Sequence, residues 1–388
     1  MDGKCYGLLG RKLGHSWSVP IHQALGCPDY RLIELEPDAL EAFLRRTDIG
    51  GLNVTIPYKR DVMPYCDEID AAGFCYMARR AGISFAGRKA VILGSGGASL
   101  TAQACARQLG ARQVVVISRS GPDNYENLSR HADADIVVNT TPVGMYPGNG
   151  AAPVDLTAFP TCGGVLDVIY NPRRTALLQQ AEALGIPCSD GLPMLVAQAK
   201  AAEEHFFGTA IDDGENERIL TQLRQETENI VLIGMPGCGK TTVGQALAQK
   251  TGREAIDLDE RIAARAGCSI PEIFARGGEA EFRALEQEET AKAGALSGKI
   301  LLTGGGVVKT PENYPSLHQN GRIYHLLRPI EVLPTDGRPL SQGADLTAMW
   351  AEREPLYRRF RDAAIENTGT VEDTADAIWR DFCAHSGD

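Results

Sequence analysis

The sequence predicts an α/β protein of three units: a small α/β domain, a doubly wound domain, and a further α/β domain organised by a phosphate-binding loop. Two stretches share one grammar, an apolar strand-like run, a glycine-rich turn and a helix-forming run: Lys89–Ala111 and Asn229–Gly252. In each, the turn sits where a strand hands over to a helix N-terminus, whose free N–H groups favour an anion. Upstream of Lys89, the strand-like runs KCYGLLG, YRLIELE and GGLNVTIPY alternate with helix-like pieces, the pattern of a separate, smaller domain.

Residues 1–85 are expected to form that first domain, with 186–210 packing back onto it, and 86–185 a Rossmann-type domain. Residues 211–228 are polar and acidic at their edges with an Ile-Leu-Leu stripe inside, which reads as a helical linker before the P-loop domain at 229–388. A chain of 388 residues can give each unit its own core, and 43% hydrophobic with 23% charged residues is ordinary globular composition. A net charge of -11 argues against a nucleic-acid surface. The opening MDGKCYGLLG lacks a basic segment leading into an apolar run, and no apolar stretch approaches bilayer length. A cytoplasmic protein with no membrane partner is expected, monomeric or weakly homo-oligomeric. The ten Cys never form CxxC and never flank paired His, so they are read as reduced thiols rather than disulfides or zinc ligands.

Gly234-Met235-Pro236-Gly237-Cys238-Gly239-Lys240-Thr241 matches G-x-x-x-x-G-K-[ST] between a strand and a helix. Glycines there let backbone amides point at phosphates. Lys240 would reach the β- and γ-phosphates of ATP, and Thr241 would offer its hydroxyl to Mg²⁺. Pro236, Gly237, Cys238, Gly239 and Thr242 complete the expected ATP-binding set with Lys240 and Thr241. Asp257 and Asp259, at i and i+2, are expected at a strand end with both carboxylates on one side. A helix N-cap with solvated charges is the plain alternative for them. Further on come Gly277-Gly278-Glu279, Glu281-Phe282-Arg283-Ala284-Leu285-Glu286, Thr303-Gly304-Gly305-Gly306, Gly337-Arg338-Pro339-Leu340 and Glu352-Arg353-Glu354-Pro355-Leu356-Tyr357.

From Asn229 onward these segments, in this order, resemble shikimate kinase. The resemblance implies a nucleoside-monophosphate-kinase-like fold and ATP-dependent phosphorylation of shikimate. It implies that Asp257 helps hold Mg²⁺, and that Asp259 binds and orients or deprotonates the attacking ring hydroxyl. Arg283 and Arg353 would clamp the substrate carboxylate, a planar fork suiting it better than an ammonium. Gly305 would let backbone approach the ring. Arg338 would reach the nucleotide from a lid and neutralise charge on the transferred group. The family usually carries an extra Arg earlier in that lid, and VLPTDGRPL lacks it.

In the first half, Gly94-Ser95-Gly96-Gly97-Ala98 is a Rossmann-type turn after the strand AVIL. The second strand, VVVIS, ends in Ser118-Arg119-Ser120, two hydroxyls flanking a guanidinium, where an NAD site would want a carboxylate. The pattern suits a 2′-phosphate and favours NADP(H). Around this unit stand GHSWSVP, NVTIPYK, NTTPVGM, DVIYNP and DGLPMLVAQ. Together they resemble shikimate dehydrogenase over residues 5 to about 208. The resemblance implies NADPH-dependent reduction of 3-dehydroshikimate to shikimate, the substrate of the kinase half. Ser16, Ser18, Thr55, Tyr170 and Gln198 would bind the ring compound, and Lys59 would be the acid/base at the C3 oxygen. Thr140, Val168, Gly191 and Met194 would join the cofactor site.

The 34 residues from Arg60 to Leu93 are fewer than the family uses there. A strand and a GAVNT-like motif with a substrate-binding Asn have no counterpart. Asp70, in D-A-A-G-F, corresponds to the catalytic aspartate of the family's NTD motif or is a helix N-cap. Three readings follow: a compact active dehydrogenase, a non-catalytic NADP- or shikimate-binding or regulatory module fused to an active kinase, or a sequence missing a segment here.

Overall fold

Short aliphatic and β-branched runs bounded by glycine build three parallel sheets. The computed structural model describes residues 4–14, 16–55, 57–59, 61–62, 70–333 and 346–387. They divide into two compact units, Met1–Leu220 and Thr221–Asp388.

The first unit opens with β1 (Cys5–Gly10), α1 (Ser18–Ala24), β2 (Arg31–Glu34), α2 (Pro37–Leu44) and β3 (Ile49–Val54). The three strands form a parallel sheet in the order β2-β1-β3, with β1 buried along its length. The next described element is α3 (Asp70–Arg80), so no strand follows β3 in this sheet among the described residues.

β4 (Lys89–Leu93), α4 (Gly97–Gln108), β5 (Gln113–Ile117), β6 (Ile136–Asn139), β7 (Val165–Asp167), α5 (Ala176–Ala183) and β8 (Cys188–Ser189) form the doubly wound part. Its five strands run parallel in the order β5-β4-β6-β7-β8. β4 is buried throughout, as expected of a strand covered on both faces. The chain leaves β4 toward β5 on one side and β6 on the other, so a crevice opens at the carboxyl ends of these strands. α6 (Leu192–Phe207) then packs against α3, α1 and β3, with Phe206 beside Tyr6 of β1. Gly73 marks how close α3 and α6 run: a Cβ there would lie 2.5 Å from the Met194 carbonyl and 3.0 Å from Gln198 Cβ.

Residues 211–228, expected as a linker, hold α7 (Gly214–Thr227), and the division at 220/221 falls inside it. Ile219, Leu220 and Leu223 are buried, so the helix is part of the packed structure rather than a solvated spacer.

The second unit contains β9 (Asn229–Ile233), α8 (Lys240–Thr251), β10 (Ala255–Asp257), α9 (Leu258–Ala266), α10 (Ile270–Gly294), β11 (Ile300–Leu302) and α11 (Asn313–His318). β12 (Gly321–Leu327), α12 (Leu346–Phe360), β13 (Ala363–Glu366) and α13 (Val371–His385) complete it. Its parallel sheet runs β10-β11-β9-β12-β13, placing β9 and the loop after it at the centre. α10 is broken at Gly278, where φ is 70°. All described cysteines are free thiols.

Two candidate active sites

The loop after β9 carries the P-loop residues. Gly239, with φ 100°, precedes Lys240 at the head of α8, and no side chain caps that helix. The amides are thus left for a ligand, and the positive φ is one a residue with Cβ would resist. Lys240 Nζ donates to the carbonyls of Gly234 at 2.8 Å and Met235 at 3.1 Å, folded back over its own loop. Thr241 is exposed, and its Oγ1 lies 3.5 Å from Asp257 Oδ2. A hydroxyl and a carboxylate oxygen at that spacing fit a shared Mg²⁺ with its waters.

Asp257 serves both readings offered by the sequence. It ends β10, and its Oδ1 caps α9 by accepting from the amides of Asp259 (3.0 Å) and Glu260 (3.4 Å), while Oδ2 faces Thr241. Asp259 therefore stands in the first turn of α9, not on a strand beside Asp257. The expectation of one strand face is corrected: the cap starts the helix immediately after Asp257.

The loop Thr303–Gly306 meets Asp259 and Arg283, two of the residues expected in the ring-binding pocket. A Cβ on Gly304 would meet Asp259 Oδ1 at 2.8 Å and Glu286 Oε1 at 3.2 Å. One on Gly305 would meet the Pro236 ring at 2.7 Å, and one on Gly306 would collide with the Arg283 guanidinium. Three consecutive glycines thus let one loop touch an acidic group, the P-loop and an arginine at once. The Gly305 carbonyl accepts from Arg353 Nη1 at 3.1 Å and from the Tyr357 hydroxyl. Arg283 pairs with Glu286 and Glu279. Glu286 is 1% exposed, and burial pushes its carboxyl up to about 7. Arg338 lies outside the described residues.

In the first unit, the turn after β4 leaves the head of α4 without a side-chain cap, and Cβ atoms on Gly96 or Gly97 would meet open space. That turn can accept a pyrophosphate. Arg119 and Ser120 at the end of β5 are exposed, and Ser118 is half-buried. Thr140 Oγ1 donates to the Leu93 carbonyl at 2.7 Å, fixing the loop after β6 beside the turn after β4. Gly191 packs onto the Val168 carbonyl so tightly that a Cβ would collide with it. Ser16 and Ser18 share a hydroxyl contact of 3.2 Å at the head of α1, and Thr55 follows β3 directly. Lys59 lies in the next turn, half-buried, and has partners. Burial pushes the Tyr170 phenol up, so it stays a neutral hydrogen-bonding group. Asp70 opens α3, but its side chain lies outside the described residues.

Comparison with known proteins decides what these sites belong to. Residues 236–382 match the family profile "Shikimate kinase", and residues 8–75 match "Shikimate dehydrogenase substrate binding domain". A shikimate kinase from Halorhodospira halophila is 42% identical over 149 residues, 36% of this chain and 84% of that protein. An NADP-dependent shikimate dehydrogenase from Clostridium perfringens (strain SM101 / Type A) is 30% identical over 267 residues, 57% of this chain and 98% of that protein. The chain belongs to both families, one after the other. A solved chorismate mutase/shikimate 5-dehydrogenase fusion from Clostridium acetobutylicum is similar in fold, with TM-score 0.54 and 31% identity, covering 57% of this chain and 97% of that one.

The dehydrogenase match also measures the shortening. The alignment is 267 positions long, yet 57% of 388 residues is only about 221, so about 46 positions are taken up by gaps on this side. The substrate-domain profile nevertheless runs to residue 75, past Asp70.

Some residues beside the P-loop escaped the sequence reading. A cavity of about 400 Å³ beside the P-loop is lined by Gly239, Thr242, Arg328, Pro329, Asn367 and Val371. Asn367 follows β13; its Nδ2 donates to the Cys238 carbonyl at 2.6 Å and its Oδ1 accepts from Thr374 at 2.9 Å. Nothing at 328 or 367 forms a motif, because these residues meet the P-loop only through the sheet order. Glu286 did carry a signal, three residues after Arg283 on one helix face. His22 is buried and paired with Glu203 of α6, a structural tie.

Proposed function

We propose that the residues gathered in these sites carry out two consecutive reactions, NADPH-dependent reduction of 3-dehydroshikimate and ATP-dependent phosphorylation of the resulting shikimate. The observation that carries the reading is the Thr303–Gly306 loop, which touches Asp259, Pro236 and Arg283 together. An acceptor held there would lie between a carboxylate able to orient its hydroxyl and the loop that grips phosphate.

In the kinase half, the P-loop amides and Lys240 hold the nucleotide phosphates, and Thr241 and Asp257 hold Mg²⁺. Asp259 orients the ring hydroxyl and takes its proton, while Arg283 and Arg353 fix the ring carboxylate. Arg338 is assigned to the nucleotide side from its sequence position. In the dehydrogenase half, residues 94–98 receive the pyrophosphate and Ser118, Arg119 and Ser120 the 2′-phosphate. Ser16 and Ser18 bind the carboxylate, Thr55, Tyr170 and Gln198 hold the ring, and Lys59, with Asp70, moves the proton at the C3 oxygen. When bound, NADPH supplies the reducing hydride and Mg²⁺ offsets phosphate charge. The protein is assigned to the cytoplasm, acting on small molecules alone, as a monomer or weak homo-oligomer. Among the described residues no helix is long and apolar enough to cross a membrane.

The test is shikimate-dependent NADP⁺ reduction by the full chain and by Lys59→Ala. Turnover in the wild type that the variant lacks is expected. Equal rates in both would remove Lys59 from the mechanism, and no rate in either would leave the first half a binding module.

A further inference from the structure

Asp167, at the carboxyl end of β7, is fully buried and has no part in the chemistry above. Its Oδ1 accepts from Asn139 Nδ2 at 3.0 Å and from the Ile169 amide at 3.0 Å. Its Oδ2 accepts from Thr175 Oγ1 at 2.8 Å. Each partner anchors something else. Asn139 ends β6, and its Oδ1 accepts from the Thr141 amide (3.0 Å) and hydroxyl (2.7 Å). Thr175 caps α5, its hydroxyl oxygen accepting from the Leu178 amide at 3.3 Å. The Ile169 carbonyl accepts from the Gly191 amide at 2.9 Å.

One carboxylate therefore ties the loop after β6, the loop after β7, the head of α5 and the approach to α6. Thr140, Val168, Tyr170 and Gly191 all lie on these segments. The turn after β4 and the end of β5 serve the phosphate-bearing half of a dinucleotide. The loops after β6 and β7, across the crevice from β5, are left to receive the other half.

We propose that Asp167 is a positioning residue of the dehydrogenase site: its charge locks the loop after β6 against the loop after β7, and so pre-forms the surface that receives the nicotinamide half of NADP. This rests on the dinucleotide placement given above. Asp167→Asn keeps the shape, but its one amide oxygen can accept only the bonds from Asn139 and Ile169. Those two weaken, because bonds to an ionised acceptor are about twice as strong as neutral ones. The amide nitrogen in place of Oδ2 reverses the bond to Thr175. Burial pushes the Asp167 carboxyl up to about 6, and Asp190, on the loop before α6, is the charged neighbour that raises it further. Burial thus disfavours the charged form, and the three donors around it offset that cost.

The experiment compares NADP⁺ binding by calorimetry to the full chain and to Asp167→Asn, with melting temperature and shikimate phosphorylation measured on the same preparations. Expected are a dissociation constant raised roughly tenfold, a melting temperature no lower than wild type, and unchanged phosphorylation. The ratio of the two dissociation constants should narrow as pH falls toward about 5, where wild-type Asp167 is itself protonated. Taking the ratio cancels titration of the 2′-phosphate. Equal affinities at pH 8, a pH-independent ratio, or an affinity loss that merely tracks a fall in melting temperature would each overturn the proposal. If the wild type binds no NADP⁺, the dinucleotide placement is wrong and the proposal falls with it.

Discussion

Gly305→Ala puts one methyl group between the acceptor loop and the P-loop. Its Cβ would lie 2.7 Å from both Cγ and Cδ of Pro236, where ordinary contact begins at 3.4 Å, so one loop must retreat by about 0.7 Å. Neither yields easily. The Pro236 ring is rigid, and the Gly305 carbonyl is held by Arg353 and Tyr357. A misplacement of about 1 Å at a reacting centre costs on the order of 100-fold. A retreat of this size therefore predicts a kcat/KM for shikimate phosphorylation lowered roughly ten- to 100-fold, about 1.4–2.7 kcal/mol of transition-state stabilisation. The assay is coupled ADP release at saturating ATP, run beside shikimate-dependent NADP⁺ reduction by the same preparation. Reduction should be unchanged. Phosphorylation within threefold of wild type would refute the view that this close approach sets the reaction distance.

Other outcomes follow from the same contacts. Lys240→Ala should abolish phosphorylation and leave NADP⁺ reduction intact; a retained kinase rate would put the phosphate grip elsewhere. Glu286 has its folded carboxyl raised from 4.5 to about 7 by burial, so the unfolded chain releases that proton first as pH rises. Its contribution to stability is present below 4.5 and lost by about 7, on the order of 3 kcal/mol. Urea denaturation across this window should show that slope in the wild type and a flatter one in Glu286→Gln; identical slopes would contradict the burial argument. Asn367→Ala strands the buried Cys238 carbonyl, at roughly 1–3 kcal/mol, while the Thr374 hydroxyl keeps its bond to the Thr370 carbonyl. It should raise the KM for ATP more than that for shikimate, and parallel changes would mean a general loss of structure.

The glycine turns at 94–97 and 234–239 were legible because the chemistry is local: strand, turn and helix head are contiguous, and the motif specifies them together. Asp257 ends a strand as expected and also caps a helix, so Asp259 alone was misplaced, since a pattern of two carboxylates does not say whether the first already caps a helix. The connector at 211–228 was read as a helix with an Ile-Leu-Leu stripe, and that stripe, Ile219, Leu220 and Leu223, is buried; the spacing showed an apolar face, but only the fold shows that it is covered.

By itself, the sequence determined the two glycine turns between strand and helix and the α/β class, because each is written in adjacent residues whose spacing is fixed by one turn of chain; the candidate ring-binding residues, scattered from Ser16 to Gln198, came from family resemblance. Tertiary structure alone decided which distant groups complete the sites. Asn367 reaches the P-loop through sheet order, Glu286 acquires its raised pKa from burial, and Asp167 gathers Asn139 and Thr175 from other segments. Hydrogen bonding and desolvation act on whatever is near in space, and nearness between residues tens of positions apart exists only after folding.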